Sequence, residues 1–158
     1  MDRIPMTPEG YQKLMHELKR IKSVERPKIV AEIEVAREHG DISENAEFHA
    51  AKDKQAVLTA RMRAIETKLA QAEVIDPVMT KQIDKIVFGA TVTLFDNETE
   101  GEVLYKIVGD DETDIKGNKI GISSPLARGL IGKRLGDEVV IRTPKGTKEF
   151  EVLQVEYV

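Results

Sequence analysis

The sequence of 158 residues contains no cysteine and no tryptophan, and its aromatic residues make up only 4% of the chain. Without cysteine it can form no disulfide, no thiolate zinc site and no cysteine nucleophile. No apolar run reaches the roughly 18 residues of a membrane-spanning helix, and the N-terminus shows no signal peptide. These absences predict a protein of the cytoplasm that does not associate with a membrane.

Charge and composition divide the chain into two halves. Residues 1–75 carry 13 basic and 13 acidic residues, whereas residues 76–158 carry the whole net charge of −4, nine of the eleven glycines and five of the seven Phe and Tyr residues. The first half is rich in helix-forming residues and the second in β-branched residues. An acidic total argues against a whole-molecule basic surface for duplex DNA. We therefore predict an arm at 1–75, a linker at 76–84 and a globular domain at 85–158.

The first half predicts two long antiparallel helices. In the second helix the spacing of 4, 3, 4 and 3 is typical of a coiled-coil seam, and it joins Leu58, Met62, Ile65, Leu69 and Ala72. The apolar stripe of the first helix slips in phase near Pro27, which should kink or break that helix. Gly40 is expected to end the first helix, and Asp41 or Ser43 to begin the second. The short connection makes the two helices neighbours.

The second half predicts a small antiparallel sheet with one helix packed on it. The segment 144–146 has the composition of a hairpin turn. The last strand changes its buried face near Val152, which predicts a β-bulge there. Ser124 and Pro125 predict the N-cap and the first turn of a short helix.

Two acids, Asp41 and Glu44, lie three residues apart at the predicted turn of the hairpin. They fit a capping box, in which Asp41 accepts from backbone N–H groups and Glu44 reaches back. They also fit a pair of hard oxygen ligands for Mg²⁺ that would help to position a water for attack on phosphate. Two carboxylates alone would not hold Mg²⁺ tightly, so a partner would have to supply the other ligands.

Other polar residues near this turn allow two further interpretations. His39, Glu47 and His49 together with Asp41 could form a transition-metal site, but their spacing matches no zinc pattern and solvated polar side chains explain them as well. Arg37 and Lys52 could be a solvated helix flank, or a small patch that contacts the phosphates of a single strand.

The segment 37–52, with the sequence REHGDISENAEFHAAK, strongly resembles the coiled-coil tip of the bacterial Gre transcript-cleavage factors. Segments 4–7, 88–92, 108–112 and 123–133 are similar to the same family, so the resemblance covers essentially the whole chain. The balanced charge of the arm and the acidic total fit the GreA type better than the more basic GreB type.

The resemblance implies an α+β fold, with an N-terminal antiparallel coiled-coil hairpin followed by a small antiparallel β-sheet domain similar to the FK506-binding proteins. It implies a monomeric factor that binds bacterial RNA polymerase at the rim of its secondary channel, on the largest subunit. The hairpin would enter the channel and stimulate the polymerase to cleave the nascent RNA at its 3′ end, so that backtracked complexes restart. The factor would not itself be an enzyme.

The resemblance also assigns roles to residues. Asp41 and Glu44 match the essential tip acids, which act as catalytic groups inside the polymerase active site and share a Mg²⁺ ion there; the chain would have no cofactor of its own. Arg37 and Lys52 match the basic patch that faces the RNA, although Lys52 lacks the bidentate geometry of the arginine that is frequent there. Ser124 and Pro125 lie in a segment that looks like the polymerase-docking loop.

Three other functions compete with this interpretation. A Gre-like inhibitor would occupy the same channel without stimulating cleavage, but the tip retains the acids of the cleavage pattern. A prolyl isomerase or chaperone would need an aromatic-lined apolar pocket, for which the chain has few residues. A purely structural coiled coil would pair with a second arm through exposed apolar positions.

Overall fold

The computed structural model describes residues 3–41, 45–80 and 84–158. By their contacts the described residues divide into a hairpin unit, Tyr11–Ala72, and a sheet unit made of Arg3–Gly10 and Glu73–Val158. The sequence-based domains at 1–75, 76–84 and 85–158 differ from this division in two places, because the sheet unit includes Arg3–Gly10 and begins again at Glu73, before the predicted linker. The reason is that strand β1 (Ile4–Met6) pairs with strand β2 (Ala72–Val74), and the Ile75 N–H donates to the Met6 carbonyl over 2.9 Å.

The first half of the hairpin unit is a continuous helical segment. It consists of helix α1 (Pro8–Arg20), a π-helical turn (Ile21–Glu25) and helix α2 (Arg26–Arg37). In the π-helical turn the Arg26 N–H donates to the carbonyl of Ile21, five residues earlier. Pro27 has no N–H to donate and its ring would crowd the carbonyl four residues before it. The wider turn therefore absorbs both the proline and the phase slip, and the expected break does not occur.

Helix α3 (Ala46–Gln71) forms the second half of the hairpin and confirms the predicted seam from Leu58 to Leu69, whereas Ala72, the last predicted seam residue, already lies in β2. Ile65 is fully buried in α3, and Leu14 and Ile21 are buried in the helix that precedes the loop. Nearer the loop the buried side chains among the described residues are two alanines, Ala36 and Ala51. On the surface, the Arg61 guanidinium donates to both carboxylate oxygens of Glu17, over 2.9 and 2.8 Å.

Besides the β1–β2 pair, the described residues of the sheet unit form one five-stranded sheet with the strand order β5-β4-β3-β7-β6. Its strands are β3 (Thr91–Asp96), β4 (Gly101–Val108), β5 (Lys119–Gly121), β6 (Glu138–Thr143) and β7 (Gly146–Glu156), and helix α4 (Pro125–Leu130) follows β5. Strand β5 pairs in parallel with β4, so the prediction of a wholly antiparallel sheet was wrong in this one pairing. The segment between them, with its 3₁₀ turn at Asp110–Glu112, carries the chain back far enough for β5 to run beside Lys106–Val108 in the same direction, which antiparallel pairing would not require.

Several local features of the sheet were predicted correctly. The register between β3 and β7 shifts between Thr93 and Leu94, so that Leu153 is the extra residue of a β-bulge. Strands β6 and β7 form a hairpin in which Thr143 pairs with Gly146, whose φ of 130° suits glycine. The core between sheet and helix α4 is closed, because its central side chains Leu94, Ile107 and Leu130 are fully buried.

The start of helix α1 is fixed within the sheet unit by Glu112. Its carboxylate accepts hydrogen bonds from the Thr7 N–H, the Thr7 hydroxyl and the Gly109 N–H. The Thr7 hydroxyl oxygen in turn accepts from the Gly10 N–H over 3.2 Å, which makes Thr7 the N-cap of α1. A Cβ atom at Gly10 would lie 2.3 Å from the Glu112 carboxyl carbon, so any other residue there would displace the carboxylate from its hydrogen bonds.

Tyr157 fixes the end of the chain. Its hydroxyl donates to the Lys85 carbonyl over 2.6 Å and accepts from the Val87 N–H over 3.0 Å, and burial raises the pKa of this phenol. None of the described helices is both long enough and apolar enough to cross a membrane.

Candidate functional site at the turn of the hairpin

The first helix of the hairpin ends at Arg37, three residues before a glycine. The His39 N–H donates to the Ala36 carbonyl over 3.2 Å, which closes the last turn. Gly40 then adopts a φ of +123°, a backbone conformation that L residues rarely take. The helical backbone therefore does not continue through Gly40, and the next residue, Asp41, is exposed.

Asn45 is the N-cap of helix α3. Its Oδ1 accepts from the Phe48 N–H over 3.0 Å, and its Nδ2 donates to the Ala36 carbonyl at the end of α2. The expectation that Asp41 or Ser43 begins the helix, with Asp41 and Glu44 as a capping box, was therefore wrong. Ser43 and Glu44 themselves lie outside the described residues. The helix begins later because Asn45 can bond to both helices at once.

His39 and Glu47 pair across the same turn, with 2.9 Å between Nδ1 of His39 and Oε2 of Glu47. Together with Asp41, Asn45 and Ala46 they line a shallow concavity of about 390 Å³. His49 instead packs edge-on against the Phe48 ring, with 5.6 Å between the ring centroids. Within the described ranges no three His, Asp or Glu side chains are grouped closely enough to hold a metal ion. The alternative transition-metal site of His39, Asp41, Glu47 and His49 is therefore not formed.

The acidic and the basic residues that were predicted for the site lie at different positions around the turn of the hairpin. Asp41 is placed in the concavity, whereas the position of Glu44 lies outside the described residues. Arg37 is the last residue of α2 and Lys52 lies in the second turn of α3, and both are exposed. The Lys52 ammonium donates to the Gln55 side chain over 3.2 Å. A carboxylate oxygen suits Mg²⁺ as a ligand, and two exposed cations suit phosphate.

The second group of predicted residues lies in the sheet unit. The Ser124 hydroxyl oxygen accepts from the Ala127 N–H over 3.2 Å, and this confirms Ser124 as the N-cap of α4 with Pro125 exposed in its first turn. The preceding residue, Ser123, donates from its N–H and its hydroxyl to the two carboxylate oxygens of Asp110, over 3.0 and 2.6 Å. Asp110 therefore holds the segment that leads into α4.

Sequence reasoning missed Asn45 and Asp110. For Asn45 a local signal was present, because Asn directly before a helix-forming run is among the preferred N-caps. For Asp110 no local signal exists, since its partner Ser123 is 13 residues away.

The described residues form a helical hairpin with an exposed carboxylate at its turn, and a small sheet unit. This architecture is that of a class of protein that presents polar side chains on a helical support. The match to family models shows which family of this class it is. Residues 4–74 match the model described as "Transcription elongation factor, N-terminal", and residues 80–157 match "Transcription elongation factor, GreA/GreB, C-term". The chain belongs to the GreA/GreB family of transcription elongation factors.

Similar proteins extend over the full length. The chain is 54% identical to the transcription elongation factor GreA of Psychrobacter sp. (strain PRwf-1), and 54% identical to that of Hyphomonas neptunium. In both cases the similarity covers 99% of each chain. Among solved structures, the GreA factor homolog 1 (Gfh1) of Thermus thermophilus is 27% identical over 98% of this chain and 99% of its own, with a TM-score of 0.43.

Proposed function

We propose that this transcription elongation factor stimulates RNA polymerase to cleave its own transcript, and that the turn of the hairpin supplies the groups that do so. The observation that supports this most directly is the exposed Asp41 at the turn between two long helices. Helix α3 has 26 residues, which corresponds to roughly 39 Å. A support of this length can present a carboxylate well inside a narrow channel.

Asp41 and Glu44 act in this proposal as oxygen ligands that complete the coordination of a Mg²⁺ ion in the polymerase active site. The donor set fits that ion, because Mg²⁺ is commonly bound by one or two carboxylates and otherwise by water or phosphate. When bound, Mg²⁺ lowers the pKa of a coordinated water and stabilises the in-line attack on a phosphodiester. The factor is then not an enzyme by itself, since the polymerase holds the RNA and most of the ligands.

The remaining predicted residues position the factor on its partners. Arg37 and Lys52 are exposed on the two helices that flank the turn, where they can contact phosphates near the RNA 3′ end. Ser124 and Pro125 begin helix α4, on the segment that Asp110 holds in place, and we assign this segment to docking on the largest-subunit rim of the secondary channel. The factor works as a monomer in the cytoplasm, where it rescues backtracked complexes.

Transcript cleavage in stalled complexes tests this proposal. Bacterial RNA polymerase is backtracked on a template with labelled RNA and Mg²⁺, and receives either the unmodified protein or one of two variants, Asp41→Ala and Glu44→Ala. We expect the unmodified protein to shorten the RNA from its 3′ end and to restart the complex, and both variants to lose most of this activity while still binding. Asp53→Ala removes an exposed carboxylate farther along α3 and serves as the matched control.

Three outcomes of this assay are informative. Loss of cleavage in the tip variants alone supports the assigned roles. Loss of polymerase binding together with cleavage would mean that the acids only maintain the structure. Binding without any acceleration, even by the unmodified protein, would make the chain a regulator that occupies the channel, and would contradict the proposal.

A further inference from the structure

The turn of the hairpin is closed by one side chain that bonds to both helices. Asn45 Oδ1 accepts from the Phe48 N–H at the start of α3, over 3.0 Å, while Asn45 Nδ2 donates to the Ala36 carbonyl at the end of α2. Helix ends leave N–H and C=O groups without helical partners. Asn45 accepts from one such N–H group on α3 and adds a second donor to an α2 carbonyl that also accepts from the His39 N–H.

The two hydrogen bonds of the Asn45 side chain connect the helix ends on either side of the segment that carries the acids. Residues 37–44 lie between Ala36 and Asn45, so a hydrogen bond between these two residues sets the distance across the base of the segment. Ala36 and Ala51 are the buried apolar side chains nearest to it among the described residues. Alanine buries little apolar surface, so packing contributes little to the order of the turn and hydrogen bonds must contribute more.

A second contact across the segment is weaker. The pair of His39 and Glu47 spans 2.9 Å, but their side chains remain 55% and 70% exposed. Solvent competes for such a pair, and exposed pairs contribute little to stability. Asn45 is partly buried, which leaves it as the stronger connection.

We propose that Asn45 is a positioning residue: its link to the Ala36 carbonyl, and not only its capping of α3, holds the turn so that Asp41 is presented to the Mg²⁺ ion of the polymerase. This inference rests on the proposed function. Asn45 touches neither the substrate nor the ion in this arrangement. Residues that orient metal ligands typically affect metal affinity or activity by about 10- to 100-fold.

Two substitutions separate capping from the link between the helices. Ser and Asp both cap helix N-termini about as well as Asn, but neither offers an N–H donor to the Ala36 carbonyl. Asn45→Ser is neutral, and Asn45→Asp adds a negative charge, so agreement between them excludes an effect of charge alone. Asn45→Ala loses both functions.

The experiment measures single-turnover cleavage in backtracked polymerase while the concentrations of the factor and of Mg²⁺ are varied. We expect Asn45→Ser and Asn45→Asp to lower the maximal rate about tenfold and to raise the Mg²⁺ concentration at half-maximal rate. The factor concentration at half-maximal rate should stay within about twofold of the unmodified value, because docking lies elsewhere. In the free protein, amide exchange at His39, whose N–H bonds to the same Ala36 carbonyl, should become faster.

The outcomes are distinct. If Asn45→Ser cleaves like the unmodified protein while Asn45→Ala does not, Asn45 is only an N-cap and the inference is wrong, although the proposed function stands. If the Asn45→Ser and Asn45→Asp variants lose affinity for polymerase in place of rate, the inference is also wrong. If the unmodified protein does not stimulate cleavage, the proposed function fails first, and the role of Asn45 in cleavage fails with it.

Discussion

The hairpin unit and the sheet unit are stabilised in different ways. Thirteen buried residues form one closed cluster in the sheet unit, and many of them are large aliphatic side chains. In the hairpin unit the buried apolar side chains among the described residues are few, and they fall from leucine and isoleucine to alanine toward the turn. Stability is therefore concentrated away from the carboxylate that the proposed chemistry needs. The turn depends on polar contacts, and a single substitution can remove such a contact without disturbing an apolar core.

The largest effects should come from truncating a fully buried side chain in each unit. Leu94→Ala and Ile65→Ala both remove fully buried aliphatic groups, and each should lower the free energy of unfolding by about 3 kcal/mol. Because the units have separate cores, Leu94→Ala should speed amide exchange in the sheet strands, and Ile65→Ala in the hairpin helices. Hydrogen exchange resolved by residue measures both. Uniform loss of protection throughout the molecule in either variant would show that the two units unfold together.

Removal of the Glu112 carboxylate should have the next largest effect, because in the sheet unit this group contributes through hydrogen bonds and not through apolar packing. Glu112→Ala leaves the N–H and hydroxyl of Thr7 and the N–H of Gly109 without this acceptor, and Thr7 is almost completely buried. We expect a loss of about 2 kcal/mol in urea unfolding. Glu112→Gln should lose less, since one carbonyl oxygen remains. Glu102→Ala, at an exposed position of β4, should have almost no effect.

The features that sequence predicted are those that depend on near neighbours. The seam through Ile65, the bulge at Leu153 and the Ser124 cap each follow from residues a few positions apart. The features that were missed depend on distant partners. Glu112 accepts a hydrogen bond from Thr7, which is 105 positions earlier in the sequence, and β5 pairs with β4 in parallel. The start of α3 lies between these cases. Asp41, Ser43 and Asn45 can all cap a helix, and the carbonyl of Ala36 on the other helix decides among them.

The proposed RNA contacts should have a moderate effect and should depend on salt. If Arg37 and Lys52 each contact a phosphate of single-stranded RNA, replacing either by alanine should weaken the apparent affinity several-fold. It should also reduce the slope of log affinity against log salt concentration by about 0.7. The measurement is the factor concentration at half-maximal cleavage over a series of salt concentrations. Lys54→Ala is the matched control, because its ammonium pairs with Glu32 at 3.7 Å on the neighbouring helix. An equal change of slope in this control would assign the effect to the general charge of the hairpin.

The smallest effect concerns the surface of the hairpin. The hydrogen bonds from Arg61 hold the pKa of Glu17 below its ordinary value of 4.5. A lowered carboxyl pKa stabilises the folded state above the unfolded pKa, and this contribution disappears as the pH falls through the folded pKa. Because both side chains are well exposed, Glu17→Gln should cost about 0.5 kcal/mol at neutral pH and less at pH 3. Glu66→Gln removes a single, longer contact to Lys22 at 3.9 Å and should change stability less. Urea unfolding at both pH values measures the difference, and a constant cost for Glu17→Gln would mean that packing, not charge, is what Glu17 contributes.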